Sequence, residues 1–249
     1  MSEIEGIIQV KRLEGEPTLV SPAILVAFPY LLKKLLSFKE LSVHNFRDGI
    51  VEKMWHRPLP NGSSLGILGP VLGAPQAALV LEKICALGAR EAIVIGCCGA
   101  VSEELAIGDI LVPDCALSED GVSRIYCGEQ LVFLPDDEMV ARLEGYLKRY
   151  KLCYKMGALL STDAVLRETR TKMDAYKRLG IKGVDMEVAS LFCVGVKKGI
   201  RVAAVLAVSD ELYGRSWRPG FKSPPFKEIC LDLTKAIYEG VMEDALNEA

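Results

Sequence analysis

The run Ala92-Ile93-Val94-Ile95, opened by Glu91, contains no polar residue and passes straight into Gly96-Cys97-Cys98-Gly99-Ala100. A strand with no polar face belongs inside a sheet covered on both sides. Residues 201–208 repeat the pattern and end on Ser209-Asp210-Glu211. Two such strands require helices on both faces. Segments 30–37, 76–87, 135–150, 167–179 and 226–247 read as those helices, with Gly88 closing the second, and a largely buried one runs from Glu187 to Gly199. Apolar runs at 23–28, 65–68 and 154–160 add strands, and 108–113 reads as a turn and strand. Residues 41–46 and 50–55 alternate as two more strands around Arg47-Asp48-Gly49, while 213–225 is an aromatic, basic loop. Strands alternating with helices predict a layered α/β fold around a mostly parallel sheet. No repeat, low-complexity tract or linker divides the chain, so residues 1–249 read as a single domain.

Charge and cysteine usage exclude several functions. A net charge of −3 and a pI near 5.6 give no field to recruit nucleic acid or an acidic membrane. No run approaches the ~18 apolar residues of a membrane span. Residues 1–15 carry acids and no apolar core, so no signal peptide is expected. The eight cysteines are scattered without a C-x-x-C spacing, and only His44 and His56 could assist them in holding a metal. A reduced, cytoplasmic protein with no metal site explains them better than a disulfide framework.

Four strand ends deliver small or polar groups: 96–99, 161–163, 185–187 and 209–210. Ligands of open α/β sheets bind beyond the carboxyl ends of the strands. Gly96–Gly99 reads either as a tight turn or as a place where a ligand approaches the backbone. Asp185 and Glu187 share a face if the segment is extended. A carboxylate there could accept from two sugar hydroxyls, or could simply favour the helix N-terminus. Asp210 directly follows eight mostly apolar residues, which makes it either a buried acid or a turn cap.

Taken in order, these motifs resemble one family. Gly96-Cys97-Cys98-Gly99-Ala100-Val101, followed by Ile107-Gly108-Asp109-Ile110, resembles the glycine motif of the nucleoside phosphorylase superfamily. Val184-Asp185-Met186-Glu187 resembles its ribose-binding signature. Val208-Ser209-Asp210 resembles the segment carrying the catalytic aspartate of purine nucleoside phosphorylases and methylthioadenosine nucleosidases. Leu72-Gly73-Ala74-Pro75-Gln76-Ala77-Ala78 also fits, and the similarity spans roughly residues 22–212. The resemblance implies a three-layer α/β/α fold around a mixed, mostly parallel sheet. It also implies a homo-oligomer, whether dimer, trimer or hexamer, that cleaves the N-glycosidic bond of a purine nucleoside. Glu187 would hold the ribose hydroxyls, Met186 would pack below the sugar, and Asp210 would protonate N7 of the leaving base. Asp185, Ser209, Gly96 and Cys97 would complete the wall, Val165 would lie against the base, and Arg47 matches an arginine lent by a neighbouring subunit. No cofactor is implied, with phosphate as co-substrate if the reaction is phosphorolysis.

The chain departs from the family where phosphate binds. Gly-Asp-Pro-x-Arg after the first strand is here Ala27-Phe28-Pro29-Tyr30-Leu31. The arginine two residues before the glycine motif is Val94, and the serine or threonine within it is Cys97. Two lost guanidinium groups remove bidentate contacts that lysines such as Lys33 do not replace. The glutamate with which the nucleosidases activate water is missing as well. Three readings follow in order: a divergent phosphorylase, a nucleoside hydrolase, and a non-catalytic nucleoside- or base-binding protein.

Overall fold

A computed structural model describes residues 6–38 and 40–247. Residues 1–5, part of the stretch expected to hold no signal peptide, lie outside it. The chain begins with β1 (Ala23–Val26) and α1 (Pro29–Leu35), then the hairpin β2 (Ser42–Asn45) and β3 (Lys53–Pro58). β4 (Ser64–Leu68), α2 (Ala74–Ala86), β5 (Glu91–Ala100), β6 (Ile110–Glu119), α3 (Gly121–Cys127) and β7 (Val132–Phe133) follow. Next come α4 (Asp137–Arg149), β8 (Lys155–Thr162), a 3₁₀ turn (Val165–Arg167), α5 (Arg170–Arg178) and β9 (Ile181–Asp185). α6 (Val188–Lys198), β10 (Arg201–Glu211), β11 (Arg218–Pro219) and α7 (Pro224–Asn247) complete it. Among the described residues, no helix is long and apolar enough to cross a membrane.

The two apolar runs are neighbours. β5 pairs in parallel with β1 on one side and β10 on the other, setting Ile93 opposite Ile24 and Ala203. β10 runs antiparallel to β6, β6 and β8 are parallel, β8 and β9 are parallel, and β9 returns antiparallel to β5. These five strands close into a ring, from which β1, β4, β3 and β2 extend as a sheet. The mixed sheet has parallel pairing in its longest ladders, β5–β10 and β6–β8. Strand alternation then sorts the core: Ala92 and Val94 face α2 and α6, while Ile93 and Ile95 face α1, α4 and α7. Each fully buried valine or isoleucine contributes about 1.5–3 kcal/mol, so these two faces hold the three layers together.

Several expectations need correction. Gly96–Ala100 is no turn, because β5 runs through Ala100 against β10 and β9. Gly96 has a packing reason, since a Cβ there would stand 2.8 Å from Leu206 Cδ2. β3 starts at Lys53 rather than residue 50, because the Asp48 side chain accepts from Ile50 N–H (3.0 Å) and folds the turn. β6 continues past Pro113 by a register shift, and α3 and β7 were not anticipated. The cysteines are not all free. α3 packs on α6 and brings Cys127 and Cys193 into a disulfide across 66 residues of sequence, while the other six are free thiols.

The β2–β3 turn is fastened from beneath. Lys83 of α2 is fully buried, with its ammonium 2.9 Å from Glu16 and 2.6 Å from Asp48, and it lies over the Phe46 ring. This triad holds Arg47, exposed beside Asp48, near the outer end of the sheet.

Candidate functional site

The junction between β9 and α6 divides its two acids between different tasks. Asp185 ends β9, and its Oδ2 accepts from the N–H groups of Glu187 (3.0 Å) and Val188 (2.8 Å). Its Oδ1 accepts from Ser161 Oγ (2.5 Å), which in turn accepts from Ala189 N–H (2.9 Å). The first turn of α6 thereby has its orphan donors met from outside the helix. Asp185 is a helix cap with both oxygens engaged, so the structure does not turn it toward a ligand.

Glu187 points the other way. Its Oε1 accepts from Gly73 N–H (2.6 Å) at the start of α2, and half-buried Met186 lies against the same Gly73 turn. Burial, then the charge of Asp185, pushes the Glu187 carboxyl up, while the N–H groups of Gly73 and Met186 oppose.

The other acid stands on β10, where a register shift between Val208 and Asp210 turns Ser209 and Asp210 inward. Asp210 Oδ1 accepts from Ser209 Oγ (2.6 Å) and Oδ2 from the indole N–H of Trp217 (2.7 Å). Gly99 clears the space, since a Cβ there would stand 3.2 Å from Asp210 Oδ2. Strand pairing brings the two acids to the same end of the sheet, since Gly99 of β5, two residues after Cys97, lies opposite Asp210 on one side and Val184, three residues before Glu187, on the other. Burial pushes the Cys97 thiol up, a hydrogen bond with Ser209 opposes, and the charges of Glu187 and Asp210 reinforce. Glu187, Asp210, Ser209 and Cys97, drawn from three strand ends, therefore share one site. Cys98, one residue on, is buried in the core against Gly183.

Val165 is 39% exposed on the 3₁₀ turn, and Arg47 is exposed on the β2–β3 turn. At the two positions where an arginine was missing, Leu31 and Val94 are fully buried in the core. Phe28 packs its ring 6.0 Å from Phe221 and 5.9 Å from Phe226, and Lys33 is exposed.

Four contributors carry roles that the sequence did not assign, two of them, Gly73 and Ser161, within segments it singled out. Gly73 and Ser161 act through backbone and hydroxyl contacts that only the fold creates. Trp217 lay within the aromatic loop without an assigned role. Glu168, half-buried after the 3₁₀ turn, gave no signal. Burial and the charge of Asp210 push its carboxyl up to about 7, with Lys172 opposing and Glu119 reinforcing.

Comparison with known proteins bears on the family and the fold. The family model described as the phosphorylase superfamily matches residues 22–223. A guanosine phosphorylase of Halorubrum lacusprofundi is 27% identical over 152 residues, covering 61% of this chain and 63% of the relative. The chain thus spans less than two thirds of that relative's length. The fold is similar to purine nucleoside phosphorylase from Toxoplasma gondii in complex with immucillin-H (TM-score 0.79, 17% identity, covering 99% of this chain and 100% of that one). It is also similar to a futalosine hydrolase mutant of Helicobacter pylori (TM-score 0.74, 16% identity, covering 91% and 99%). At these identities the two structures speak for the fold alone.

Proposed function

The chain belongs to the phosphorylase superfamily, and we propose that it cleaves the N-glycosidic bond of a purine nucleoside. The observation that carries this reading is the convergence of β9 and β10 on Gly99 of β5, which brings Glu187 and Asp210 to one end of the sheet. Glu187 is the acceptor for ribose hydroxyls, held by Gly73 N–H and freed from helix capping by Asp185. Met186 lies beside it, under the sugar. Asp210 protonates the leaving base at N7, the step a purine needs because it leaves poorly as an anion. Glu168, half-buried directly after the 3₁₀ turn that carries Val165, is assigned as the acceptor for the far edge of the base. An ionised carboxylate there suits a 6-oxopurine, whose N1–H donates, better than adenine, whose N1 accepts. The guanosine phosphorylase among the relatives is in keeping with that choice. Residues 1–249 act as one domain in this reading, supported by one sheet that runs through the fold.

On the nucleophile side, the residues at the two arginine positions weigh against phosphorolysis, the reading placed first from the sequence. Leu31 and Val94 are buried where two guanidinium groups would be needed. Without them a phosphate dianion lacks the bidentate partners that water does not require. Hydrolysis, which needs no such cation, is favoured on that ground, while the glutamate that would activate its water is missing as well. Phosphorolysis is the second reading, supported by the exposed Arg47, which a homo-oligomer could lend to a neighbouring site. Guanosine, inosine and adenosine incubated with and without phosphate, and monitored for free base, test both readings. Release in phosphate-free buffer supports hydrolysis, and release only with phosphate supports phosphorolysis. Binding without release by either route would reduce the function to recognition.

A further inference from the structure

The nucleoside reading assigns Asp210 a proton to give away, yet in the structure both of its oxygens accept. Ser209 Oγ holds Oδ1 at 2.6 Å and the Trp217 indole holds Oδ2 at 2.7 Å. An indole N–H is a donor only, so its partner oxygen must be an acceptor. The N7 of a purine is also an acceptor, so it can bond Asp210 only through a proton on the carboxyl. Ser209 already covers Oδ1, so the indole and the base compete for the approach to Oδ2.

The surrounding loop is built so that the indole can leave. Its ends are anchored: Leu212 N–H donates to Ala100 O (2.8 Å), Arg218 pairs with Glu211 (2.9 Å), and Gly220 N–H donates to Ser209 O (2.8 Å). Beyond them, Phe221 is seated on Phe28. Between the anchors Trp217 is 58% exposed, and its ring meets Phe221 with centroids 6.4 Å apart. Beside it opens a recess of about 380 Å³, lined by Glu211, Gly214, Arg215, Ser216 and Arg218 together with Trp217 itself. Turning the ring into that recess breaks the bond to Asp210 and sacrifices little buried area.

We propose that Trp217 is a gate on Asp210: its indole N–H occupies the acid, and a purine nucleoside binds by displacing it. Trp217 acts through Asp210 and is a positioning residue. It holds the carboxylate toward the pocket and sets the affinity of the base that replaces it. The inference rests on the proposed nucleoside site and adds a competitor within it.

The test uses the full chain, guanosine as probe and two conservative variants. Trp217→Phe keeps the ring and removes the donor. A hydrogen bond to a charged group is worth roughly 10- to 100-fold in an equilibrium, so guanosine should bind Trp217→Phe tighter by up to that factor. KM should fall with kcat little changed, the pattern of a ground-state competitor removed. Trp55 is the only other tryptophan, so Trp55→Phe leaves Trp217 as sole reporter. Its emission should shift on guanosine binding, with the midpoint found by calorimetry. Calorimetric binding without an emission shift, or unchanged or weaker binding by Trp217→Phe, overturns the gate and leaves the nucleoside site standing. No heat and no turnover with guanosine, inosine or adenosine overturns the nucleoside reading, and the gate with it.

Discussion

Asp210→Asn separates an acid from a residue that merely shapes the pocket, and the structure sets the scale of both effects. Asparagine keeps one acceptor and gains two donors. With its amide oxygen toward Trp217, the 2.7 Å bond survives. Its NH₂ then faces Ser209, whose hydroxyl can accept and give its own proton to Cys98 O, already 3.1 Å away. The folded protein exchanges one arrangement of hydrogen bonds for another, so stability should change by about 1 kcal/mol or less. In a chain of this size that is a Tm shift of roughly 2–4 °C. The chemistry loses its proton donor, typically worth about 10²–10⁴-fold, or roughly 3–5 kcal/mol of barrier. Base release from guanosine should fall by that factor. 7-Methylguanosine, whose base is already cationic and leaves as a neutral molecule, should lose much less. Chromatographic measurement of free base from both substrates, beside a thermal melt, decides the matter. Equal losses on both substrates, or a fall in Tm well beyond a few degrees, would make Asp210 a structural cap and remove the main support for a purine.

Glu187→Ala should weaken guanosine by about 10- to 100-fold relative to free guanine, the value of a hydrogen bond to a charged acceptor, and calorimetry with both ligands reads the difference. Glu168→Gln should flatten a guanosine-to-adenosine preference that otherwise rises with pH through about 7, as the carboxyl facing Asp210, Lys172 and Glu119 ionises; a ratio of kcat/KM values with the same pH dependence in both proteins would clear Glu168 of base recognition. Lys83→Met strands the Glu16 and Asp48 carboxylates in the interior and should cost about 3–5 kcal/mol, or roughly 6–20 °C in Tm. Burial raises the Asp48 pKa but Lys83 and backbone N–H groups lower it further, so this stabilisation is present above the unfolded value of about 3.9 and is lost as pH falls through the lower folded value; the melting gap to Lys83→Met should narrow in acid. Light scattering should find a homo-oligomer, and a fully active monomer would remove Arg47 from any phosphate site.

The legible parts of this protein are those decided by local pattern. The runs 92–95 and 202–208 have no polar face, so their place at the centre of the sheet follows from solvation alone. Their alternation even assigns each residue to one of the two helical layers. What sequence spacing could not decide was which of two neighbouring acids faces the ligand. Asp185 and Glu187 share a face only if the chain stays extended. The backbone instead turns into α6, and the unmet N–H groups of its first turn draw in the nearer carboxylate. Glu187 is left to reach Gly73, 114 positions away in sequence. Trp217 on Asp210, Glu168 near Asp210 and Cys127 on Cys193 are likewise consequences of tertiary placement, with no period or motif to announce them. Leu31 and Val94 were legible in a different way, because an apolar residue where a guanidinium is needed can be read directly. The structure adds that both are buried in the core, so neither position is a gap that a nearby lysine could fill. Under the proposed cleavage these two positions supply no cation for phosphate, which leaves a cation brought from elsewhere, such as another copy of the chain, or attack by water. That choice follows from the same solvation rule that placed β5: residues committed to the core cannot also serve a dianion.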